Sequence, residues 1–255
     1  MTDRAVSDVL SFVLVFSLIT ASVGLVSVVG LGSLQDARNA ERIDNGERAF
    51  QVLADNLRDI VHGGAPSRAT EIKLAETTLT LATPSDTAVT LETGTNAGST
   101  ESRPITFGAG GDNLTRGVVY EMGAIIRVDR GGAAMRRQPP FQFDENRTVI
   151  HYVALASQTG DIQRRSGSTT VLVRGVRGTT GVISHKRPSG NVTFTIDTEP
   201  RRAEAWKRYL DSELADMTPA AGSACDPLTG NGTVTCTFRT NDLRVTRTTI
   251  RVAIS

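Results

Sequence analysis

The sequence holds only two cysteines and three histidines, which limits the site chemistry it can build. Two cysteines without a histidine beside them cannot complete a tetrahedral structural zinc site. His62, His151 and His185 lie far apart in the chain, in a helix end, a strand and a loop, with no ligand spacing between them. No metal site is expected. Lysine is also scarce, with Lys73, Lys186 and Lys207 standing among 28 Lys and Arg residues. Against 27 acidic residues the formal net charge is +1, so there is no global field to draw nucleic acid to the protein. Also missing are a G-x-S-x-G elbow, an H-E-x-x-H pair, a phosphate-binding loop and a dinucleotide fingerprint after a strand. No catalytic residue and no cofactor is therefore expected, and the chain reads as a structural or binding protein rather than an enzyme.

The most informative absence is local. No charged residue occurs from Val9 to Gln35, a run rich in Val, Leu, Ile and Phe. A bilayer core takes about 20 apolar helical residues, and the run is longer than that. It also exceeds the roughly 7–15 residues of a signal-peptide core, and its leader, Met-Thr-Asp-Arg, carries one base and one acid. A retained transmembrane helix is expected, with the lipid bilayer as its first partner. Gly24, Ser27, Gly30 and Ser33 recur at steps of three, which places small residues along one side, where helices can approach closely.

Charge returns after Gln35, and with it a helical stripe. Ile43, Gly46, Phe50, Leu53, Leu57 and Ile60 alternate at steps of three and four, widened by Ala54 and Val61. Gly63-Gly64 followed by Pro66 is a helix stop. Two arrangements fit: one continuous helix from about Val6 to His62, or an apolar helix hinged at Gly30 and Gly32 to a separate amphipathic one.

The stretch "DRAVSDVLSFVLVFSLITASVGLVSVVG" resembles the N-terminus of archaeal type IV pilins and pilin-like proteins, particularly those of haloarchaea. Arg4, Ala5, Val6, Ser7 and Val9 match the family's Arg-(Gly/Ala)-Val-Ser-Pro-Val motif, with Asp8 in the proline's place. A carboxylate there is compatible with the helix dipole. The resemblance spans about the first 35 residues. It implies that a prepilin peptidase removes a short leader near Arg4–Ala5 and leaves the apolar helix in place. That helix would rest in the membrane, then pack against identical or related pilin-like subunits in a filament core. The alternative is a permanently anchored extracellular module that binds a ligand or partner and never polymerises.

Beyond Pro66 the apolar period changes from helical to alternating. Ile72 and Leu74, Leu79 and Leu81, and Val89 and Leu91 mark two or three short strands, and six later segments repeat the pattern between turn residues. Residues 95–104 read as a polar loop, 130–143 as a long loop, and the basic clusters at 135–140 and 185–188 as solvated turns. One helix interrupts, with Thr198 as N-cap, Pro200 in its first turn, and Trp206, Tyr209, Leu210 and Leu214 packed on a sheet. The expected class is α+β: a long N-terminal helix over 1–62, then an antiparallel, β-rich, sandwich-like domain over 66–255 with one short helix in its C-terminal half.

Export gives the remaining signals meaning. Cys225 and Cys236 flank a Gly/Asn turn, and outside the cell a disulfide closing so short a loop contributes about 2–3 kcal/mol. Reduced structural thiols are the other reading. Asn113, Asn146, Asn191 and Asn231 each open an Asn-x-Thr sequon, a candidate glycosylation site in an exported domain. The expected location is a cell membrane with the domain outside, or a surface filament.

Overall fold

The computed structural model describes residues 2–91, 94–109, 114–217 and 224–255, apart from the side chains of 2–9, 28–33, 89 and 91. The chain divides into two compact units, Met1–Asp44 and Asn45–Ser255. Helix α1 runs unbroken from Thr2 to Val61. No proline precedes Pro66, so no ladder bond is lost, and the hinged alternative does not form. The helix ends where Gly64 adopts φ 75° and the Ala65 N–H reaches back to Asp59 O at 3.2 Å, the closing bond of a glycine-assisted C-cap.

Strands β1 (Ser67–Lys73), β2 (Thr77–Leu81), β3 (Ser85–Leu91), β4 (Asn96–Ser102) and β5 (Ile105–Ala109) follow. Next come β6 (Arg116–Glu121), β7 (Ala124–Asp129), β8 (Gly132–Arg137), β9 (Phe141–Gln142) and β10 (Thr148–Ser157). Then β11 (Gln163–Gly167), β12 (Thr170–Lys186) and β13 (Val192–Asp197) lead into helix α2 (Pro200–Glu213), with β14 (Thr233–Phe238) and β15 (Leu243–Ile254) after it. They form three sheets, ordered β1-β12-β15-β10-β9, β11-β2-β5-β6-β7-β8 and β14-β13-β3-β4. Pairing is antiparallel except between β10 and β15, which run parallel from Thr148↔Leu243 to Ser157↔Val252. A parallel pair needs a long crossover, here the whole segment from β11 to β14.

Within the second unit, residues 45–61 of α1 form part of the core. Phe50, Leu53, Leu57 and Ile60 are each at most 1% exposed, and such burial contributes about 1.5–3 kcal/mol per side chain. Phe50 meets Phe107 of β5 with ring centroids 6.1 Å apart. Two turns on, a Cβ placed on Gly175 of β12 would lie 3.0 Å from Leu57 and 3.2 Å from Ile60. One helical stripe thus packs on strands of two different sheets. Ion pairs flank it: Glu47 with Arg127 at 3.1 Å, Asp55 with Arg137 at 2.6 Å and Asp59 with Arg68 at 3.2 Å.

A second core gathers Phe141, Tyr152, Phe194, Trp206 and Phe238. Phe141 stacks on Trp206 at 6.2 Å and meets Phe194 edge-on at 5.6 Å. The Trp206 and Tyr209 side chains therefore face the sheets, as their helical spacing indicates.

Two expected loops are strands. Residues 95–104 contain β4, whose buried face is Ala97, Gly98, Thr100 and Ser102. A strand that buries small and hydroxyl side chains carries no hydropathy signal. Gly98 also permits the crossing, since a Cβ there would lie 2.8 Å from Val245 Cγ1 of β15. Residues 130–143 contain β8, paired with β7 from Asp129↔Gly132, and β9. The basic cluster there is not a solvated turn: Arg137 binds Asp55, and Arg136 lies 3.5 Å from Glu47.

Alanine for glycine normally stabilises a helix by up to about 1 kcal/mol, but a Cβ at Gly46 would sit 2.2 Å from the buried Phe107 ring. Gly46→Ala should therefore destabilise, by about 1–3 kcal/mol. Urea unfolding of the detergent-solubilised chain checks the sign.

Candidate functional site

The first candidate surface is the apolar part of α1. Leu10–Ser27 is long and apolar enough to cross a membrane, and none of it is buried within the protein. Large side chains project all round it, with Phe12 69%, Leu18 69% and Val26 70% exposed. Two of its hydroxyls bond within the helix: Thr20 donates to Phe16 O at 2.8 Å and Ser22 to Leu18 O at 2.7 Å. Such back-bonding removes the cost of a bare hydroxyl in an apolar medium. A Cβ added at Gly24 meets nothing within 4 Å, and Ser27 is exposed. The other expected residues of this region, Gly30 and Ser33 for packing and Arg4 and Ala5 for leader cleavage, have side chains outside the described set.

Cys225 and Cys236 form a disulfide, with both residues buried. The bridge fastens the segment before β14 to that strand, where Asp226 N donates to Thr235 O and Thr237 N to Ala224 O. The sequons differ in setting. Asn146 and Asn231 are exposed in loops, and Asn231 Oδ1 accepts from Thr233 N at 3.1 Å. Asn191 is half-buried just before β13, and its Oδ1 accepts from Arg239 Nε at 2.8 Å. Asn113 lies outside the described residues.

Sequence patterns do not reveal one concavity of the β-rich unit, an open groove of about 620 Å³. The register of the four-stranded sheet sets Asp197 opposite Asp86, and Asp86 opposite Glu101. All three are exposed on the groove, with Arg247 and Thr249 contributed by β15 and Ala154 and Ala156 by β10. Like charges directly opposite on neighbouring strands destabilise a sheet. None of the three carboxylates makes an ion pair with a described residue; Asp197 accepts one hydrogen bond, from Thr233 Oγ1 at 3.4 Å. Among the described residues no group of His, Cys, Asp and Glu is placed to hold a metal ion. The groove offers carboxylate and hydroxyl acceptors beside one guanidinium.

A buried polar node lies under the same sheet. Glu121, at the end of β6, is fully buried. Its carboxylate accepts from Ser85 Oγ, from Thr198 Oγ1 at 2.8 Å and from Trp206 Nε1 at 2.8 Å. Arg202, 5% exposed, approaches it at 3.5 Å and donates to Thr198 Oγ1 at 3.0 Å. Thr198 is thereby taken from the capping role its spacing suggests, and Glu199 caps α2 instead by accepting from Arg201 N. Nothing in the string "VVYEMG" marks Glu121 as buried; its donors come from three other elements.

On the opposite side of β10, the His151 ring lies 5.5 Å from that of His62. His151 Nδ1 is 2.7 Å from Thr246 Oγ1, while Nε2 is buried with no hydrogen-bond partner. Burial first, and the neighbouring His62 second, push His151 down to about 4.

Residues 4–253 match the model of one protein family, described as a family of unknown function, DUF7289. No curated protein and no solved structure matches the chain.

Removing one member of a buried pair typically costs about 3–5 kcal/mol. Arg202→Met should lose stability on that scale, measured by denaturant midpoint at unchanged slope. For His151 the folded value lies below the ordinary 6.5, so the unfolded chain binds the extra proton between about pH 6.5 and 4. Its contribution is present above that window and is lost as pH falls through it. His151→Gln should flatten the acid side of the melting-temperature profile between those limits.

Proposed function

The chain belongs to this family of unknown function, and we propose, on the structure of its first helix, that it is a pilin-like cell-surface subunit, structural or adhesive, and not an enzyme. One observation carries the reading: the uncharged, unburied span Leu10–Ser27 belongs to the same helix whose residues 45–61 form part of the β-rich unit's core. An apolar surface of that extent needs lipid or other helices around it. Both satisfy it, so the same residues suit a membrane before assembly and a filament core afterwards, with self or related pilin-like subunits as partners. The likeness of Arg4–Val9 to the pilin motif supports this proposal and adds processing by a prepilin peptidase near Arg4–Ala5.

The disulfide supports an external location for the domain, because such bonds persist in oxidising compartments. Arginines bias the flanks the other way, with Arg4 before the span and Arg38, Arg42 and Arg48 after it. That bias orients short loops, whereas long domains translocate largely regardless of charge. Among the described sequons, Asn146 and Asn231 are the most open to glycosylation.

A second reading, the permanently anchored binding module, is favoured by the 620 Å³ groove. Assembly separates the two. Gly24→Leu with Gly30→Leu should leave membrane insertion intact but lower the yield of sheared surface filaments, since overpacking costs about 1–3 kcal/mol per site. If wild type and double variant both give only membrane-bound monomer, the pilin reading fails. Intact mass of the purified protein is the companion measurement: a mature start near Ala5 supports prepilin-type processing, and a start beyond Gly24 removes the retained helix.

A further inference from the structure

A smaller cavity, about 70 Å³, lies within the second unit where the last turns of α1 meet β6, β10 and the segment 138–140. Its polar lining is made of Arg58, His62, Tyr120, Arg137 and Gln138, its walls are apolar or proline, and no Asp or Glu lines it. Tyr120 is 2% exposed, and no described side chain hydrogen-bonds its hydroxyl. Burial pushes the phenol far above its ordinary value, with Arg137 and Arg58 close enough to act in the opposite sense. The hydroxyl therefore stays protonated and able to donate.

Charge in the cavity is not balanced from within. Arg137 is held from outside, by Asp55 Oδ1 at 2.6 Å and by Gln51 O. The exposed Arg58 side chain has no ion-pair partner among the described residues. The C-terminal end of α1 contributes about half a negative charge, less than the one guanidinium left over. Two guanidinium groups and a phenol thus converge on a space for a few heavy atoms, given that one water takes about 30 Å³ of liquid. A water there would meet mainly donors, and an anion can accept from all three.

We propose that this cavity binds a small monovalent anion, a halide or a short carboxylate, received by Arg58, Arg137 and the Tyr120 hydroxyl. Its lining comes from α1, β6, β8, β10 and the 138–140 segment, so a bound ion ties the end of the helix to these strands within the β-rich unit. Binding to the folded state alone raises stability with ligand concentration.

The test is thermal unfolding of the full chain in a non-ionic detergent at constant ionic strength. The sodium salts are chloride, formate and gluconate, the last too large to enter. The expected result is a midpoint about 2–4 °C higher in chloride or formate than in gluconate. Whichever of the two acts tells halide from carboxylate. Tyr120→Phe and Arg58→Gln, one isosteric and one at an exposed position, should each abolish the difference while keeping the midpoint in gluconate. Equal midpoints in the three salts, or a difference that both variants retain, would overturn the proposal. Should either variant unfold, bromide diffused into crystals of the wild-type protein decides: an anomalous peak beside Tyr120 Oη supports the site, and its absence rejects it.

Discussion

Burial of one helical stripe is the constraint on which the β-rich unit depends. Phe50, Leu53, Leu57 and Ile60 are removed from water only because strands of two sheets lie against the same helix. Phe107 of β5 faces the first turn of the stripe, and Gly175 of β12 faces the last. The two sheets share no strand, so helix packing does work here that hydrogen bonding cannot. The stripe also explains the placement of basic residues on β7 and β8. Arg127 and Arg137 reach Glu47 and Asp55, which flank the stripe on the helix and hold its rotation about the axis. Arg127 and Glu47 are both largely covered, which makes their charge–charge energy larger than that of a solvated pair. Asp55 is 66% exposed, and its pair with Arg137 is screened by water.

The second core is organised differently, around a polar atom group instead of an apolar stripe. Glu121 takes donors from the start of β3, the end of β13 and two turns of α2. A carboxylate at zero exposure is tolerated because each oxygen is hydrogen-bonded, whereas a half-satisfied one would cost several kcal/mol, on the order of 3–5. A node of this kind adds less to stability than an apolar substitute of the same volume often does. It does restrict how α2 can sit, since a displaced helix leaves Trp206 Nε1, Thr198 and Arg202 without their common acceptor.

Surface chemistry contrasts with both interiors. The row Asp197–Asp86–Glu101 sets like charges opposite one another with no ion-pair partner among the described residues. Such an arrangement subtracts from sheet stability, a cost that folding alone does not explain. The apolar span of α1 is the other exposed region whose composition folding alone does not explain, because exposing large side chains on every face costs free energy in water.

Much of this organisation was legible in the chain. The charge-free run, the three-and-four stripe from Ile43 to Ile60 and the glycine stop all act locally, through helix geometry and hydropathy. They marked the helical span and its end, while leaving open whether it was one helix or two hinged at Gly30 and Gly32. The alternating apolar residues specified most strands, and the flanking turn residues set Cys225 near enough to Cys236 to pair. What remained hidden depends on contacts between residues distant in sequence. β4 is polar in composition and becomes a strand because β3 offers it a partner, with Gly98 letting it pass β15. The parallel pairing of β10 with β15, the acidic row, the Glu121 node and the donor-lined cavity at Tyr120 are products of register and crossing. A sequence states which groups a protein owns and the local period in which they recur. Which of them meet across sheets is decided only when the tertiary structure selects one register among many, because side-chain direction alternates with every residue and hydropathy alone cannot choose between polar neighbours.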